Sequence, residues 1–369
     1  MIVRRFPSVP ITTMLCCGWA SLTLACLLGT ARPALADPVD PAWVTSFVEE
    51  DDFWGPDNKD RHYTHGFRIT LTSPDVHSRF WQAPFDWISS FTSAFPGQDP
   101  ALAGGESVVR RYNITPLAQS MFTPQDPSLV NPDPRDRPYA GWLYGGVGMI
   151  QDTPGTTASP VDRFDSLQLT LGLVGPGSLA NAEQTHYHLL IDVAPFQGWH
   201  AQLHNEPTAD LYYERKWRHH GESAGGWGWD AIPQASARIG NVYDYVAAGG
   251  LLRIGRNLRV DYGPPHIDYN TGAEYLNLER LSAGDWGIYL FVGSEARAVA
   301  HNIFLDGNDF KSSAHVEKIP AVGDAEAGAA FFWWHLRLAY TLVYRSPEFV
   351  HQTGPDHYGS LNLTLHLPF

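Results

Sequence analysis

Segments of about ten residues in which apolar side chains alternate with polar or small ones recur along the chain. In "HLRLAYTLVYR" (335–345) every even-numbered position is Leu or Tyr, whereas the odd-numbered positions include Arg337 and Arg345. A two-residue period predicts a strand with two different faces. An inward arginine is tolerated in the polar lumen of a transmembrane barrel but is costly in the core of a soluble β-sandwich. The pattern therefore favours barrel strands, with the sandwich as the alternative.

The same alternation predicts about twelve strands, an even number, as bacterial outer-membrane barrels have. They are expected at 43–50, 62–72, 112–122, 139–150, 164–173, 209–217, 232–239, 247–256, 286–301, 313–322, 335–345 and 358–369. With both termini in the periplasm, three polar connections are expected outside the cell: 51–61, 123–137 and 174–207. In the last of them, "SLANAEQTHYHLLI" predicts a short helix with Asn181 near its cap. We thus expect an all-β, 12-stranded antiparallel transmembrane β-barrel of the outer membrane, with a short helix in an extracellular loop. Phe369 resembles the terminal signature read by the barrel-assembly machinery, which we expect as a partner during biogenesis.

The first 36 residues predict a cleaved secretory signal peptide, with an uncleaved membrane anchor as the alternative. "MIVRR" supplies a positive start, an apolar stretch follows, and A-L-A at 34–36 provides a cleavage site. All three cysteines lie in this segment, so the barrel domain expected at 37–369 needs no disulfide. Beyond the segment there is no run of ~18 apolar residues that would predict a spanning helix. Export without such a helix, together with 13 Trp, 16 Tyr and 18 Phe, fits a barrel in a Gram-negative outer membrane.

The charge balance excludes one class of partner. The signal segment carries three arginines and no acid, so the remaining chain has 22 basic and 39 acidic residues and a net charge of −17. Such an acidic exported protein is a poor binder of nucleic acid. Acidic loops attract divalent cations instead.

Two stretches carry candidate site residues. In "FVEEDDFWGPDNKDRHYTHGFRITL", five carboxylates lie between Glu49 and Asp57, a density of oxygen ligands that suits Ca²⁺; a solvated acidic loop has the same composition. In "GPGSLANAEQTHYH", Gln184 and His188 are four residues apart and would share a helix face, although an exposed loop histidine often has no role. The metalloprotease motif H-E-x-x-H is absent. The residues alone therefore indicate a metal and histidine site near the outer rim, but no reaction.

Six stretches, in the same order over nearly the whole mature chain, carry a family resemblance. They are "EEDDF…DRHYTHGFR" (49–68), "DRPYAGWLY" (136–144), "LGLVGPGSL…EQTHYH" (171–188), "GWHAQLHNEP" (198–207), "IGNVYDYVAAGGLLRIGRNL" (239–258) and "HNIFLDGNDF" (301–310). In these stretches the chain resembles the outer-membrane lipid A 3′-O-deacylases. The resemblance implies a twelve-stranded barrel that hydrolyses the ester holding the 3′-acyloxyacyl group on lipid A. It also implies dependence on Ca²⁺, lipopolysaccharide as substrate and outer-membrane lipids as surroundings.

The resemblance also implies roles for individual residues. The family's general base falls on His188, its Y-T-x-G threonine on Thr64, and its first-strand N-D pair on Glu50 and Asp51. Glu50 therefore stands where the family has Asn, and Ala194 stands where it has a Glu. The expected catalytic residues are His188, Thr64 and Asp51, and the expected metal ligands are Asp51 and Glu50.

The mechanism that these roles imply is ester hydrolysis without a covalent intermediate. His188 would take a proton from water as the water attacks the ester carbonyl. Ca²⁺ held by Asp51 and Glu50 would polarise that carbonyl. Thr64 would orient the water, and its direct attack as a nucleophile is the alternative.

Two other functions fit the same sequence patterns. One is a non-catalytic barrel, a porin or structural protein in which His188 is an ordinary loop residue. The other is an outer-membrane phospholipase, with similar hydrolytic groups acting on a different acyl ester. Lipid analysis of cells with and without the protein separates the three.

Overall fold

Twelve antiparallel strands form a closed barrel in the computed structural model, which describes residues 43–56, 61–97, 107–156, 160–223, 225–267, 274–281 and 285–367. The strands are β1 Trp43–Asp51, β2 His62–Thr72, β3 Val109–Thr123, β4 Ala140–Thr153, β5 Asp162–Val174, β6 Glu206–Glu222, β7 Trp227–Gly240, β8 Tyr243–Arg256, β9 Trp286–Asn302, β10 Ala321–Trp333, β11 Leu336–Arg345 and β12 Asp356–Leu367. Each strand pairs with its chain neighbours, and β1 pairs with β12 to close the barrel. The predicted fold class is confirmed. The expected signal peptide (1–36) and Phe369 lie outside the described residues.

The strand expected at 313–322 is wrong, because the tenth strand is Ala321–Trp333. Its sequence "AVGDAEAGAAFFW" hides the two-residue period, since four of the seven positions on one face are alanines. On the other face, Asp324 pairs with Arg345 of β11 (Oδ2–Nη2 2.8 Å) and Glu326 pairs with His266 (Oε2–Nε2 2.7 Å). Acids on one face and alanines on the other give little contrast in hydropathy, so the segment reads as a polar loop.

Within the residues that the structure describes, three α-helices occur in the connections between the strands. They are α1 Arg79–Ser89, α2 Ala180–Leu190 and α3 Ile303–Asp306. The second confirms the short helix predicted in the β5–β6 connection, whereas α1 was not predicted. Within the described part of the chain, no helix is long and apolar enough to cross a membrane.

The chain divides into two compact units. One comprises Pro41–Glu183 and Phe196–Phe369 and contains the whole barrel. The other comprises Met1–Asp40, which the structure does not describe, and Gln184–Pro195, which holds the second part of α2.

The first strand begins and the last strand ends at the same end of the barrel, where Trp43 of β1 pairs with Leu367 of β12. We call this the terminal end and the other the opposite end. The connections β1–β2, β3–β4 and β5–β6 lie at the opposite end, because each follows a strand that runs away from the terminal end.

The lumen is polar at the barrel wall and is filled by a loop. Arg218 and Arg337 are fully buried, whereas the outward positions of the strands expose Leu, Val and Ile side chains. The β8–β9 connection enters the lumen as a plug segment, residues 258–281, of which 258–267 and 274–281 are described. Its Tyr262 and Tyr275 hydroxyls each donate to Asp152 of β4 at 2.6 Å. The segment is therefore bound to the wall by buried hydrogen bonds.

Towards the opposite end, aromatic side chains fill the lumen. Phe304 of α3 stacks on Phe122 of β3, with ring centroids 4.1 Å apart, and Phe122 packs against Tyr63 of β2. These residues belong to one buried cluster with Trp142. The described lumen is thus packed with side chains, as in small barrels, rather than lined as the wide aqueous channel of a porin.

Candidate active site

Glu50 lies in the lumen and is fully buried. Its Oε2 accepts a hydrogen bond from the Tyr63 hydroxyl at 2.8 Å, and its Oε1 accepts one from the backbone N–H of Ile267 at 3.0 Å. The same Oε1 lies 3.1 Å from Nδ1 of His266 in the plug segment. Both oxygens of this expected metal ligand are therefore engaged by lumen and plug groups.

Asp51, the next residue of β1, points to the outer face of the barrel, because successive strand residues point to opposite faces. It pairs with His65 across the β1–β2 ladder, and its Oδ1 accepts a hydrogen bond from the N–H of Phe53 at 2.7 Å. Asp57 of the same acidic loop lies outside the described residues.

The expected calcium ligands do not share a site, since Glu50 and Asp51 lie on opposite faces of one strand. Among the residues that the structure describes, no group of three or more His, Cys, Asp and Glu side chains is arranged to hold a metal ion. Ca²⁺ generally takes six to eight oxygen ligands. Glu50 and Asp51 as placed do not fit one such ion.

Thr64 is the extra residue of a bulge in β2. The register between β2 and β3 shifts between Tyr63 and His65, which leaves Thr64 without a partner in the ladder. Its hydroxyl oxygen lies 2.7 Å from that of Thr123 on β3, and both side chains are buried. Bulges re-aim side chains and are frequent beside active sites. Thr64 lies next to His65, so the structure brings it to the same end of the barrel wall as Asp51.

His65 is a candidate site residue that the sequence reasoning missed. Its Nε2 lies 4.0 Å from Oε1 of Glu49, and its Nδ1 lies 3.8 Å from Oε1 of Glu183 in the first turns of α2. Directly opposed residues of two antiparallel strands share a face, and His65 is opposite Asp51. A histidine and two acids at outward positions of an otherwise apolar face were the available signal.

His188 has a geometry suited to a general base within its own unit. Its Nδ1 lies 3.1 Å from the carbonyl oxygen of Ala194, and its own carbonyl accepts from the N–H of Val193 at 2.8 Å. Because a carbonyl can only accept, Nδ1 carries the proton and Nε2 is the nitrogen with the lone pair. Asp192, at φ 60°, forms the left-handed turn that returns the chain to His188.

Gln184 lies one helical turn before His188 on α2 and is buried like it. Gln184 and His188 are each 4 % exposed, whereas His186 is exposed. The predicted pairing of Gln184 and His188 on one helix face is therefore confirmed. The family's Glu position is occupied by Ala194, which supplies a backbone carbonyl to His188 instead of a carboxylate.

His266 is a buried histidine of a different kind. Its Nδ1 faces Glu50 and its Nε2 lies 2.7 Å from Oε2 of Glu326. Burial opposes the charged ring, but the carboxylates of Glu326 and Glu50 outweigh burial and raise the pKa of His266 to about 10. An imidazolium cannot accept a proton, so His266 binds the plug segment to the wall and does not act as a base.

Comparisons with known proteins identify a family and a fold. The sequence model of the family described as "Outer membrane protein LpxR" matches residues 22–367. The structure of LpxR from Salmonella typhimurium aligns with a TM-score of 0.67 at 17% sequence identity, covering 88% of this chain and 100% of that one. The β domain of the Bordetella autotransporter BrkA aligns at 10% identity over 89% of this chain and 99% of that one, with a TM-score of 0.43. No curated protein matches the sequence.

Proposed function

The chain belongs to the family of outer membrane protein LpxR, and from this premise we propose that it is a lipid A 3′-O-deacylase. As a member of that family with a closed barrel fold, it is an outer-membrane protein. The proposed reaction is hydrolysis of the ester of the 3′-acyloxyacyl group of lipid A, with the substrate in the outer leaflet. The opposite end of the barrel then faces outward, and the terminal end faces the periplasm.

The observation that carries the proposal is the hydrogen bond from His188 to the Ala194 carbonyl. With Nδ1 held as donor, Nε2 is set to take the proton of a water that attacks the ester carbonyl. The proton later passes from the imidazolium to the leaving alkoxide, which regenerates the base. No covalent intermediate is required.

Thr64 is proposed to orient the attacking water. If Thr123 donates to the Thr64 oxygen, the Thr64 hydroxyl proton remains available for a further hydrogen bond. Direct attack by Thr64 would require a base beside its hydroxyl, and its closest described partner is the neutral hydroxyl of Thr123.

Calcium dependence stays a prediction of the resemblance. Bound calcium would polarise the ester carbonyl. Because Glu50 and Asp51 lie on opposite faces, we assign no step to the ion. Asp51, on the outer face, is the carboxylate that we propose to keep in the site.

The testing experiment is mass spectrometry of lipid A from a Gram-negative host that lacks such an enzyme. Expression of the wild-type chain should remove the mass of the 3′-acyloxyacyl group, and expression of His188→Ala should not. Unchanged lipid A together with newly formed lysophospholipid would instead identify a phospholipase. No change in either lipid, with a folded barrel, would support a non-catalytic protein.

A further inference from the structure

Helix α1 is bound to the outside of the barrel near the terminal end. Its Phe85 is fully buried and belongs to a cluster that also takes in outward side chains of β3–β6: Tyr112, Met149, Leu167 and Tyr213. Arg110 of β3 donates to Asp86 of the helix at 2.7 Å, and the hydroxyl of Tyr112 donates to the carbonyl of Trp81 at 2.7 Å. The helix is therefore a fixed part of the barrel's outer surface.

Four aromatic side chains of α1 and the turn that follows it are exposed, in two pairs. Phe80 is 76%, Trp87 68%, Phe91 61% and Trp81 55% exposed. The rings pair edge to face, Phe80 with Trp81 at 5.0 Å and Trp87 with Phe91 at 4.9 Å between centroids. Soluble surfaces rarely expose a contiguous apolar patch of this kind. Aromatic rings are enriched where a membrane meets water.

The position of α1 complements the tryptophans borne by the strands. At the terminal end, exposed tryptophans occur at the start of β7, the start of β9 and the end of β10: Trp227, Trp229, Trp286, Trp333 and Trp334. In the described parts of β3–β6, the outward tryptophan is Trp217 of β6, and it is half-buried. That sector is the one that α1 covers, so its rings continue the aromatic girdle of the strands.

We propose that α1 is an interfacial helix that inserts its aromatic face among the phospholipids of the periplasmic leaflet. The lipid-facing wall of the same sector continues from it, with Leu117, Leu169 and Leu211 exposed on β3, β5 and β6. Interfacial helices often carry many cations on their polar face. This helix is instead bound to the barrel wall by Arg110 and Tyr112, so the barrel supplies the anchoring. The proposal rests on outer-membrane location and is independent of the hydrolytic activity.

Site-directed spin labelling of the mature protein, which is expected to begin at residue 37, tests the proposal. The mature chain is expected to have no cysteine, because all three lie before residue 37, so single cysteines can be labelled selectively. Phe80→Cys and Trp87→Cys report on the exposed face. Leu290→Cys, on the outward face of β9, is the lipid control, and Ser223→Cys, in the exposed β6–β7 connection at the same end, is the water control.

Each labelled protein is reconstituted in vesicles of phosphatidylethanolamine and phosphatidylglycerol, and its folding is checked by heat-modifiable migration. The labels at positions 80 and 87 should show an oxygen-to-nickel-chelate collision ratio several-fold above that at position 223 and close to that at position 290. A ratio equal to that at position 223 would place the face in water and overturn the proposal. Spectral broadening that disappears on dilution with unlabelled protein would identify a second copy as the occupant and also overturn it.

Discussion

Replacing Arg337 with Met should release the plug segment from the barrel wall. Arg337 is fully buried on β11 and donates to two carboxylates of the plug, Asp261 at 3.0 Å and Glu274 at 2.6 Å. It also donates to Asn362 of β12 at 2.7 Å. Met retains the apolar stem of the side chain but removes every one of these hydrogen bonds.

The expected loss in free energy of unfolding follows from the partners that each plug carboxylate keeps in Arg337→Met. Asp261 retains Arg253 and the hydroxyl of Tyr289, so its charge stays paired. Glu274 retains one described side-chain donor, Ser46 at 2.9 Å, and loses its positive partner. Removing one member of a buried ion pair costs about 3–5 kcal/mol. We expect Arg337→Met to lose that much free energy of unfolding, mostly because Glu274 loses its positive partner. The double variant Arg337→Met/Glu274→Gln should recover part of the loss.

The assay combines urea unfolding in lipid vesicles, followed by heat-modifiable migration, with conductance in planar bilayers. Arg345→Met is a matched control, because Arg345 is also buried on β11 but pairs with Asp324 of β10 and not with the plug. Both variants should be less stable, but only Arg337→Met should raise conductance. Equal conductance of the two variants would refute the view that Arg337 holds the plug. So would an Arg337→Met/Glu274→Gln variant that is no more stable than Arg337→Met.

Four further outcomes are expected. His188→Ala should lower release of the 3′-acyl group ~10²–10⁴-fold. His186→Ala, on the exposed side of α2, should lower it far less. Equal activity of His188→Ala and wild type would end the general-base assignment. Thr64→Ser should retain most activity and Thr64→Ala should not, and a fully active Ala variant would remove Thr64 from the mechanism. Hydrolysis should stop in excess chelator after dialysis and return with Ca²⁺; undiminished hydrolysis would reject the calcium prediction. Because the pKa of His266 is raised to about 10, its stabilisation is complete below the unfolded value of ~6.5 and is lost as the pH rises to about 10. The temperature of the gel-mobility transition should therefore fall over that range in wild type and less in Glu326→Gln, and a flat wild-type profile would contradict this role.

Strands were predictable where their two faces differ in polarity. The bounds of β2 and β11 follow the alternation of their sequences closely, because lipid and lumen impose opposite requirements on neighbouring residues. β10 escaped because alanines replace the larger apolar residues on its outward face. The plug segment was not predictable, since it has no periodic pattern and is held by partners such as Asp152 and Arg337 that are distant in the chain.

Helix α1 shows a different limit. Its "RFWQAPFDWIS" is amphipathic at the helical period, with the polar residues on one face, but Pro84 is unfavourable in a helix interior and argues against a helix. The sequence also does not show which apolar side chains pack on the barrel wall, as Phe85 does, and which stay exposed, as Phe80 and Trp87 do. The candidate site was partly predictable: the bulge at Thr64 and the helix face of His188 lie in stretches that the motifs singled out. The separation of Glu50 from Asp51 follows from the same two-residue period that predicted β1.

Glu50 has a structural explanation that the family pattern does not supply. The resemblance places an Asn at this position, whereas here a carboxylate faces His266 of the plug segment. Glu50 and Glu326 together provide two negative charges around one buried imidazolium, and a neutral amide at position 50 would leave only one. The glutamate thus binds the plug to β1 as Arg337 binds it to β11, which accounts for the residue without a metal ion. Of the two expected calcium ligands, Glu50 and Asp51, it is Asp51 that lies on the outer face and remains for the proposed chemistry.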